Sequence, residues 1–274
     1  METLRLERDG HVGWLRLDRP DRLNSFTPQM WWEMRALGAE LRDDPDLRVL
    51  VVIGEGRAFS SGIDTSVFAD SLTGAGGLGA ADPDAGERDA DPVIDTVLRT
   101  QDSFTWLQEA PFATIAAVRG YALGAGLQLA LACDLRVVAE GTQLGLLELK
   151  YGIIPDLGGT QRLPRLVGAG KAKELIFTSA KIDAAEAARI GLAERVVADA
   201  ELESTVTALA AEIAAQPPLA VRGVKRALDA AFDTALRDGL RVEAEGQAVC
   251  LQSDDMKEAI SAFVEQRTPD YRSR

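Results

Sequence analysis

Apolar and polar residues alternate along TLRLERDGHVGWLRL on both sides of Asp9-Gly10. A period of two is that of a strand, and an Asp-Gly pair between two such runs marks a tight hairpin turn. The chain is therefore expected to open on two antiparallel strands. After Arg19-Pro20 the period lengthens, and QMWWEMRALGAELRDD carries apolar residues at helical spacing, with Thr27 as N-cap, Pro28 in the first turn and Pro45 beyond the end. The apolar face of that helix is expected to pack on the sheet. RVLVVI, at 48–53, is short, apolar and β-branched, which predicts a buried strand. GRAFSSGID then turns toward another helix, and the strands ATIAAV and DLRVV continue an alternation that predicts an α/β core.

The stretch from Val118 to Glu148 joins a buried strand, a glycine-rich turn, a buried helix and a second strand. No charged residue lies between Arg119 and Asp134, and Gly124 and Gly126 sit where a chain leaving a strand turns into a helix. Such a turn points free N–H groups forward. With the positive end of the helix dipole they favour an anion or a developing oxyanion. From Asp70 to Pro92 the chain is rich in Gly, Ala and Asp and has neither period, which predicts a mobile surface loop. Its functional reading is a lid or an acyl-chain wall, and its plainer reading is a tolerated insertion. Beyond Lys171, Ala, Glu, Arg and Leu at helical spacing, broken at Pro217-Pro218 and before Ser253, predict an all-helical C-terminal third.

Composition narrows the classes. A chain of 274 residues with 46% apolar content can bury a full core. A net charge of −13, from 43 acidic and 30 basic residues, argues against nucleic acid or an anionic membrane as partner, so an anionic ligand would need a local basic patch. The N-terminus has no apolar segment of signal-peptide length, and no uncharged run approaches the ~20 residues needed to span a bilayer. The expectation is a soluble, cytoplasmic protein. Cys133 and Cys250 have no metal-ligand spacing and imply no disulfide framework; both are expected to be buried free thiols.

Several constellations fall away. His11 is the only histidine and sits in the hairpin, which removes Ser-His-Asp, Cys-His and histidine-zinc sites. GAGK at 168–171 has Arg165 where a phosphate loop needs its first glycine and no Ser or Thr after Lys171. GAGLQL lacks the third glycine of a dinucleotide fingerprint. Four carboxylates near glycine turns remain: Asp64, Asp134, Glu148 and Asp156. Glu148 follows LGLL, where desolvation would raise its pKa toward the range useful for proton transfer. The alternative is a solvated strand-end residue paired with Lys150. Asp156 in PDLGGT suits a helix N-cap, and Asp134 at a helix exit suits a structural role.

Together these residues resemble the enoyl-CoA hydratase/isomerase family, the crotonase superfamily, over nearly the whole chain. The resemblance rests on RLNSF (22–26), RAFSSGID (57–64), GYALGAGLQLALACD (120–134), GLLELKYGIIPDLGGTQRLPRLVG (145–168) and SAFVEQR (261–267), in the family's order and spacing. It implies an α/β, crotonase-like spiral of strand-strand-helix repeats in two roughly perpendicular sheets. On that basis residues 1–200 form the core with the acyl-CoA site and 201–274 a helical region that builds a homotrimer, or a hexamer as a dimer of trimers. The resemblance places the thioester carbonyl between the backbone N–H of Ile63 and Ala125. It places CoA near Arg22, Leu23 and Arg57, with Phe263 of a neighbouring subunit over the adenine. Gln266 stands where the family often has lysine, with Arg267 as a substitute.

No cofactor or metal is implied, since CoA is part of the substrate. Two-glutamate hydratases of the family carry a carboxylate where this chain has Gln128, whereas Glu148 matches the second. A neutral amide is no proton acceptor, so double-bond isomerisation with Glu148 as acid/base is the first expectation. Hydration of a 2-enoyl-CoA is the alternative, and a catalytically inactive acyl-CoA-binding protein the alternative of another class. Asp156 matches an aspartate of the family's dienoyl-CoA isomerases, which makes it a second candidate for proton transfer.

Overall fold

A computed structural model describes residues 1–67 and 88–272 of the chain. The expected hairpin is present: β1 (Leu4–Asp9) and β2 (Val12–Leu17) pair antiparallel around Gly10, whose φ of 54° is the left-handed conformation a tight turn needs. β3 (Val49–Gly54), β4 (Ala113–Val118), β6 (Leu135–Ala139) and β9 (Arg195–Val197) add in parallel, giving one sheet in the order β1-β2-β3-β4-β6-β9. A second sheet has the order β5-β7-β8, from β5 (Tyr121–Leu123), β7 (Gln143–Gly145) and β8 (Ile182–Asp183). β4 and β5 are consecutive strands in different sheets, and Gly120 at φ 64° makes the corner between them. One turn of the chain thus gives a strand to each sheet, which is the expected spiral.

Period-two alternation sorts β3 onto two cores. Leu50 and Val52 join Leu15, Leu17 and the helix α1 (Pro28–Leu41), whose Met30, Trp31, Met34, Leu37 and Leu41 face them. Thr27 caps α1 as expected, its Oγ1 accepting from the N–H of Met30 at 3.4 Å. The helices α2 (Pro92–Glu109) and α3 (Ala125–Ala132) complete this side through Phe104, Leu107, Leu127 and Leu129. Val49, Val51 and Ile53 face the other way, with Ile115, Ala117 and Val137. They are covered by a later helix, α7 (below).

The last third departs from the all-helical expectation. After α4 (Gly159–Val167) and α5 (Ala169–Thr178) come β8, α6 (Ala184–Arg189) and then β9, which closes the edge of the large sheet beside β6. Both strands are two or three residues long, too short for a period to register. The helix α7 (Leu202–Ala214) then lays Leu202, Val206, Leu209 and Ala210 across the large sheet. α8 (Pro218–Ala230), α9 (Leu236–Gln252) and α10 (Asp254–Glu265) follow, broken where Pro217-Pro218 and the N-cap Ser253 predict. α8 and α9 have no buried residue among the described ones and cross where the backbones of Gly223 and Gly246 meet. α8 is tied to the core by Lys225, whose Nζ donates to the carbonyls of Leu107 and Phe112 and pairs with Asp134 at 2.9 Å. Leu228, Phe232, Leu236, Leu240, Val249 and Phe263 are exposed along this arm, Leu236 to 80% and Phe263 to 85%. The helix expected after GRAFSSGID is described only at residues 65–67, and most of the predicted 70–92 loop lies outside the described residues.

Candidate active site

Two short segments face each other at the join of the sheets. β5 ends at Leu123, and Gly124, at φ 51° and ψ −122°, turns the chain into α3 while its N–H donates to the Gly145 carbonyl at 2.9 Å. Only glycine adopts that conformation without strain. Ala125 is the first residue of the helix, so its N–H has no carbonyl a turn behind it. Opposite runs Ser60–Asp64. The N–H of Phe26 donates to Gly62 O at 2.7 Å and that of Asp64 to Phe26 O at 2.9 Å, which passes over the N–H of Ile63. Neither the Ile63 nor the Ala125 N–H has a hydrogen-bond partner among the described residues. A methyl group on Gly62 would lie 2.9 Å from Leu123 O and 3.8 Å from the Ala125 nitrogen, so the two segments are in close contact.

Glu148 opens a 3-10 turn, Glu148–Tyr151, and is 5% exposed. The pairing with Lys150 considered from the sequence is not formed; Oε1 accepts from Gln128 Nε2 at 2.8 Å. Oε2 is buried with no protein partner among the described residues. Burial pushes the Glu148 pKa up to about 7; its own backbone N–H, the Gln128 amide and the Leu147 N–H oppose the rise, and the charge of Asp156 adds to it. A methyl group on Gly124 would lie 3.4 Å from Oε1, which places the carboxyl beside the glycine turn. Gln128, one helical turn into α3, is fully buried. Its Oε1 accepts from the backbone N–H of Leu157 at 2.8 Å and of Gly159 at 2.9 Å.

Asp156 is not a helix cap. The N-cap of α4 is Gly158, two positions later, whose φ of 93° is a left-handed conformation that glycine adopts without strain. Burial raises the Asp156 pKa, and its backbone carbonyl accepts from Gln101 Nε2 of α2 at 2.7 Å. Asp134 has the structural role expected of it, accepting from the Thr114 N–H at 2.7 Å and pairing with Lys225. Asp64 holds the Ile63 segment: its carboxylate accepts from Arg19, Ser25 and Ser66. Burial opposes its ionisation, but these donors outweigh burial and hold its pKa at about 2.

Arg22 and Arg57 are exposed on neighbouring turns, the first in the 3-10 turn Pro20–Arg22 and the second after Gly56, where a methyl group would lie 3.1 Å from Pro20. Leu23 is half-buried at φ 51°, and its carbonyl accepts from the Ser61 N–H at 2.9 Å. Asn24, which local sequence reasoning passed over, joins these turns. Fully buried at φ 53°, it donates to the carbonyls of Glu55 and Ala58 and accepts from the Arg19 N–H. Its signal was its place in RLNSF, since asparagine tolerates the left-handed region better than most residues. Phe263 lies out on the arm, and Arg267 is held by Glu258 and Glu265. Cys133 is buried as expected, and Cys250 is half-buried. Among the described residues no cluster of His, Cys, Asp and Glu is arranged to hold a metal ion.

The sequence model of the enoyl-CoA hydratase/isomerase family matches residues 7–274. The chain belongs to this family. It is 37% identical over 276 residues to a probable enoyl-CoA hydratase of Mycobacterium tuberculosis, covering 100% of this chain and 99% of that one. The fold matches the crystal structure of enoyl-CoA hydratase from Bacillus anthracis with a TM-score of 0.88 and 34% identity, over 99% of this chain and 100% of the other. A putative enoyl-CoA hydratase of Thermobifida fusca, solved in complex with CoA, matches with a TM-score of 0.79 and 42% identity over 91% and 93% of the two chains. The protein is therefore a crotonase-fold enzyme of the enoyl-CoA hydratase/isomerase family, and the reading of the chain as a noncatalytic binder gives way to that membership.

Proposed function

We propose that this enzyme acts on an unsaturated acyl-CoA through an enolate, with the thioester oxygen held by the backbone N–H of Ile63 and Ala125 and with Glu148 as acid/base. The observation that carries the reading is the Glu148 carboxyl, buried beside the Gly124 turn with one oxygen held by Gln128 and the other without a protein partner among the described residues. A pKa pushed up to about 7 suits a group that must take a proton and return it near neutrality. Two preset donors in a dry site stabilise a developing enolate oxygen, each typically worth about 3 kcal/mol.

Among reactions of this kind, hydration of a 2-enoyl-CoA is the reading that the names of the relatives support. Ionised Glu148 takes a proton from water as the water oxygen attacks C3; the electron pair of the double bond moves to the thioester oxygen. Glu148 then returns the proton to C2, so one carboxyl closes the cycle. Isomerisation is the second reading, and the neutral Gln128 beside Glu148 favours it, because an amide stands where a second carboxylate would hold a water. There Glu148 takes the proton from C2 of a 3-enoyl-CoA and delivers it to C4 through the same enolate. Asp156, raised in pKa and close enough to act on Glu148, is a second proton carrier in either reading. Incubating the purified enzyme separately with 2-enoyl-CoA and 3-enoyl-CoA and following mass and enoyl-thioester absorbance separates them. A gain of one water from the 2-enoyl ester is expected; a 2-enoyl product from the 3-enoyl ester without that gain reverses the order, and turnover of neither sinks the proposal.

The same reading assigns CoA binding to Arg22, Leu23 and Arg57, whose adjoining turns concentrate positive charge on an acidic protein. Neither reaction calls for a cofactor beyond the CoA of the substrate. Assembly into a trimer, or a dimer of trimers, belongs to it as well. α7 already covers the sheet, so α8 to α10 with their exposed apolar residues are the part left to bury between subunits, and the exposed Phe263 is free to cover the adenine of a neighbour, as the resemblance implies. Among the described residues no helix is long and apolar enough to cross a membrane.

A further inference from the structure

We infer that Gln128 is a positioning residue that makes Oε2, and not Oε1, the proton-carrying atom of Glu148. The inference rests on the reading of Glu148 as the acid/base. An amide can present either end to a neighbour, but here its direction is determined by two donors. The N–H groups of Leu157 and Gly159 both point at one atom of the Gln128 amide, at 2.8 and 2.9 Å. That atom must be the oxygen, because turning the amide over would set its NH₂ against two N–H groups. The nitrogen is thereby aimed at Glu148, and it donates to Oε1 at 2.8 Å. Oε1 is occupied, while Oε2 is equally buried and has no protein partner among the described residues.

The close fit supports the assignment. A methyl group on Gly159 would lie 2.9 Å from Gln128 Oε1, so a side chain there would push the amide off its two donors. Among the described residues the charged group that acts on Glu148 is Asp156, on the turn that Gln128 grips; α3 contributes no charge, and Asp64 on the Ile63 segment is paired with Arg19. Gln128 thus links two parts of the site. It holds Glu148 from α3 and, through Leu157 and Gly159, fixes the turn that carries Asp156. A donor on Oε1 favours the ionised carboxylate. Its removal makes Glu148 harder to ionise, and since the ionised form starts the reaction, the acid limb of kcat/KM moves to higher pH.

Two variants test this against a merely structural role. Gln128→Met removes the donor and the acceptor at similar length. Gln128→Glu keeps an acceptor for Leu157 and Gly159 but loses the donor; those two N–H groups hold the new carboxylate ionised, so the shared proton stays on Glu148. The acid limb of kcat/KM is expected about one pH unit higher in Gln128→Met and further up in Gln128→Glu. A structural role alone would lower stability and turnover at every pH and leave the limb in place. An unmoved limb in either folded variant overturns the inference, and Gln128→Glu decides if Gln128→Met does not fold. Glu148→Gln, assayed alongside, separates the two layers. Activity retained there removes Glu148 from the chemistry, whereas an inactive Glu148→Gln with an unmoved limb in the Gln128 variants removes only the role given to Gln128.

Discussion

Replacing Gly126 by alanine sets two effects of opposite sign against each other. Gly126 is the second residue of α3, and helix propensity alone predicts a gain of up to about 1 kcal/mol. The new methyl group, however, would lie 2.5 Å from Ser60 O and 2.8 Å from Ser60 Cβ, where ordinary contact begins near 3.4 Å. The helix and the Ser60 segment must part by about 0.9 Å, the difference between 3.4 and 2.5 Å. Ser60 cannot retreat by itself: its carbonyl accepts from the Leu123 N–H at 3.0 Å, its N–H donates to Tyr121 O at 2.9 Å and its hydroxyl donates to Asn24 O at 2.8 Å. The displacement therefore passes to the backbone around Ile63 or Ala125. Overpacking of this kind costs about 1–3 kcal/mol, which exceeds the propensity gain. A catalytic group displaced by about 1 Å loses on the order of 100-fold in rate. We expect Gly126→Ala to melt below the parent and to lose turnover on that scale while still binding CoA, whose proposed site lies on other turns. Melting curves, turnover of the enoyl-CoA substrate and calorimetric binding of CoA provide the three readouts. A variant at least as stable as the parent, with turnover within about threefold of it, would refute the reasoning.

Three further outcomes follow from the same structure. Because the Glu148 pKa is pushed up to about 7 and the ionised form starts the reaction, kcat/KM should fall as pH drops through about 7; a profile flat down to pH 5 excludes Glu148 as the initiating base. Asp64, held at about 2, contributes stability that is present above the ordinary aspartate pKa and is lost as pH falls toward 2. Asp64→Asn should therefore melt lower than the parent at pH 7, with the gap closing in acid, and a gap independent of pH would show that the ion pair with Arg19 is not its source. Light scattering should give a trimer or hexamer. A concentration-independent mass near the 29.4 kDa of one chain rules the assembly out.

How much of this was legible in the sequence depends on how local each cause is. The hairpin, α1 and β3 follow from short-range chemistry: Asp-Gly, a Thr-Pro cap and a β-branched run need no distant partner to declare themselves. The Gly124 turn was legible for the same reason, since a φ of 51° followed by a helix start is a property of a few residues. Asp156 shows the limit. Read locally it caps a helix, but Gly158 takes that place and Asp156 is left half-buried near a second carboxyl, an outcome determined by where residues 148 and 101 lie in space. Gln128 was visible as a departure from the family's glutamate, yet the orientation of its amide depends on N–H groups 29 and 31 residues away.

The arm poses the converse case. Its helical period and its breaks at Pro217 and Ser253 could be read directly, because propensity and caps are local. The period also marks an apolar stripe, but a stripe says only that something covers it. Within one chain that cover is complete for the inner face of α7, which lies on the sheet, and only partial for α8 and α9: Val221 packs on the core, whereas Val224, Leu228, Leu236, Leu240 and Val249 remain exposed. Leaving so many large apolar groups in water opposes folding, at about 25 cal/mol per Å². On the proposed assembly, the stability of the arm and the completeness of a CoA site that draws Phe263 from a neighbour would rest on the same event. If assembly brings a neighbour's Phe263 to the adenine, then CoA, which would bind only the assembled form tightly, must in turn favour assembly.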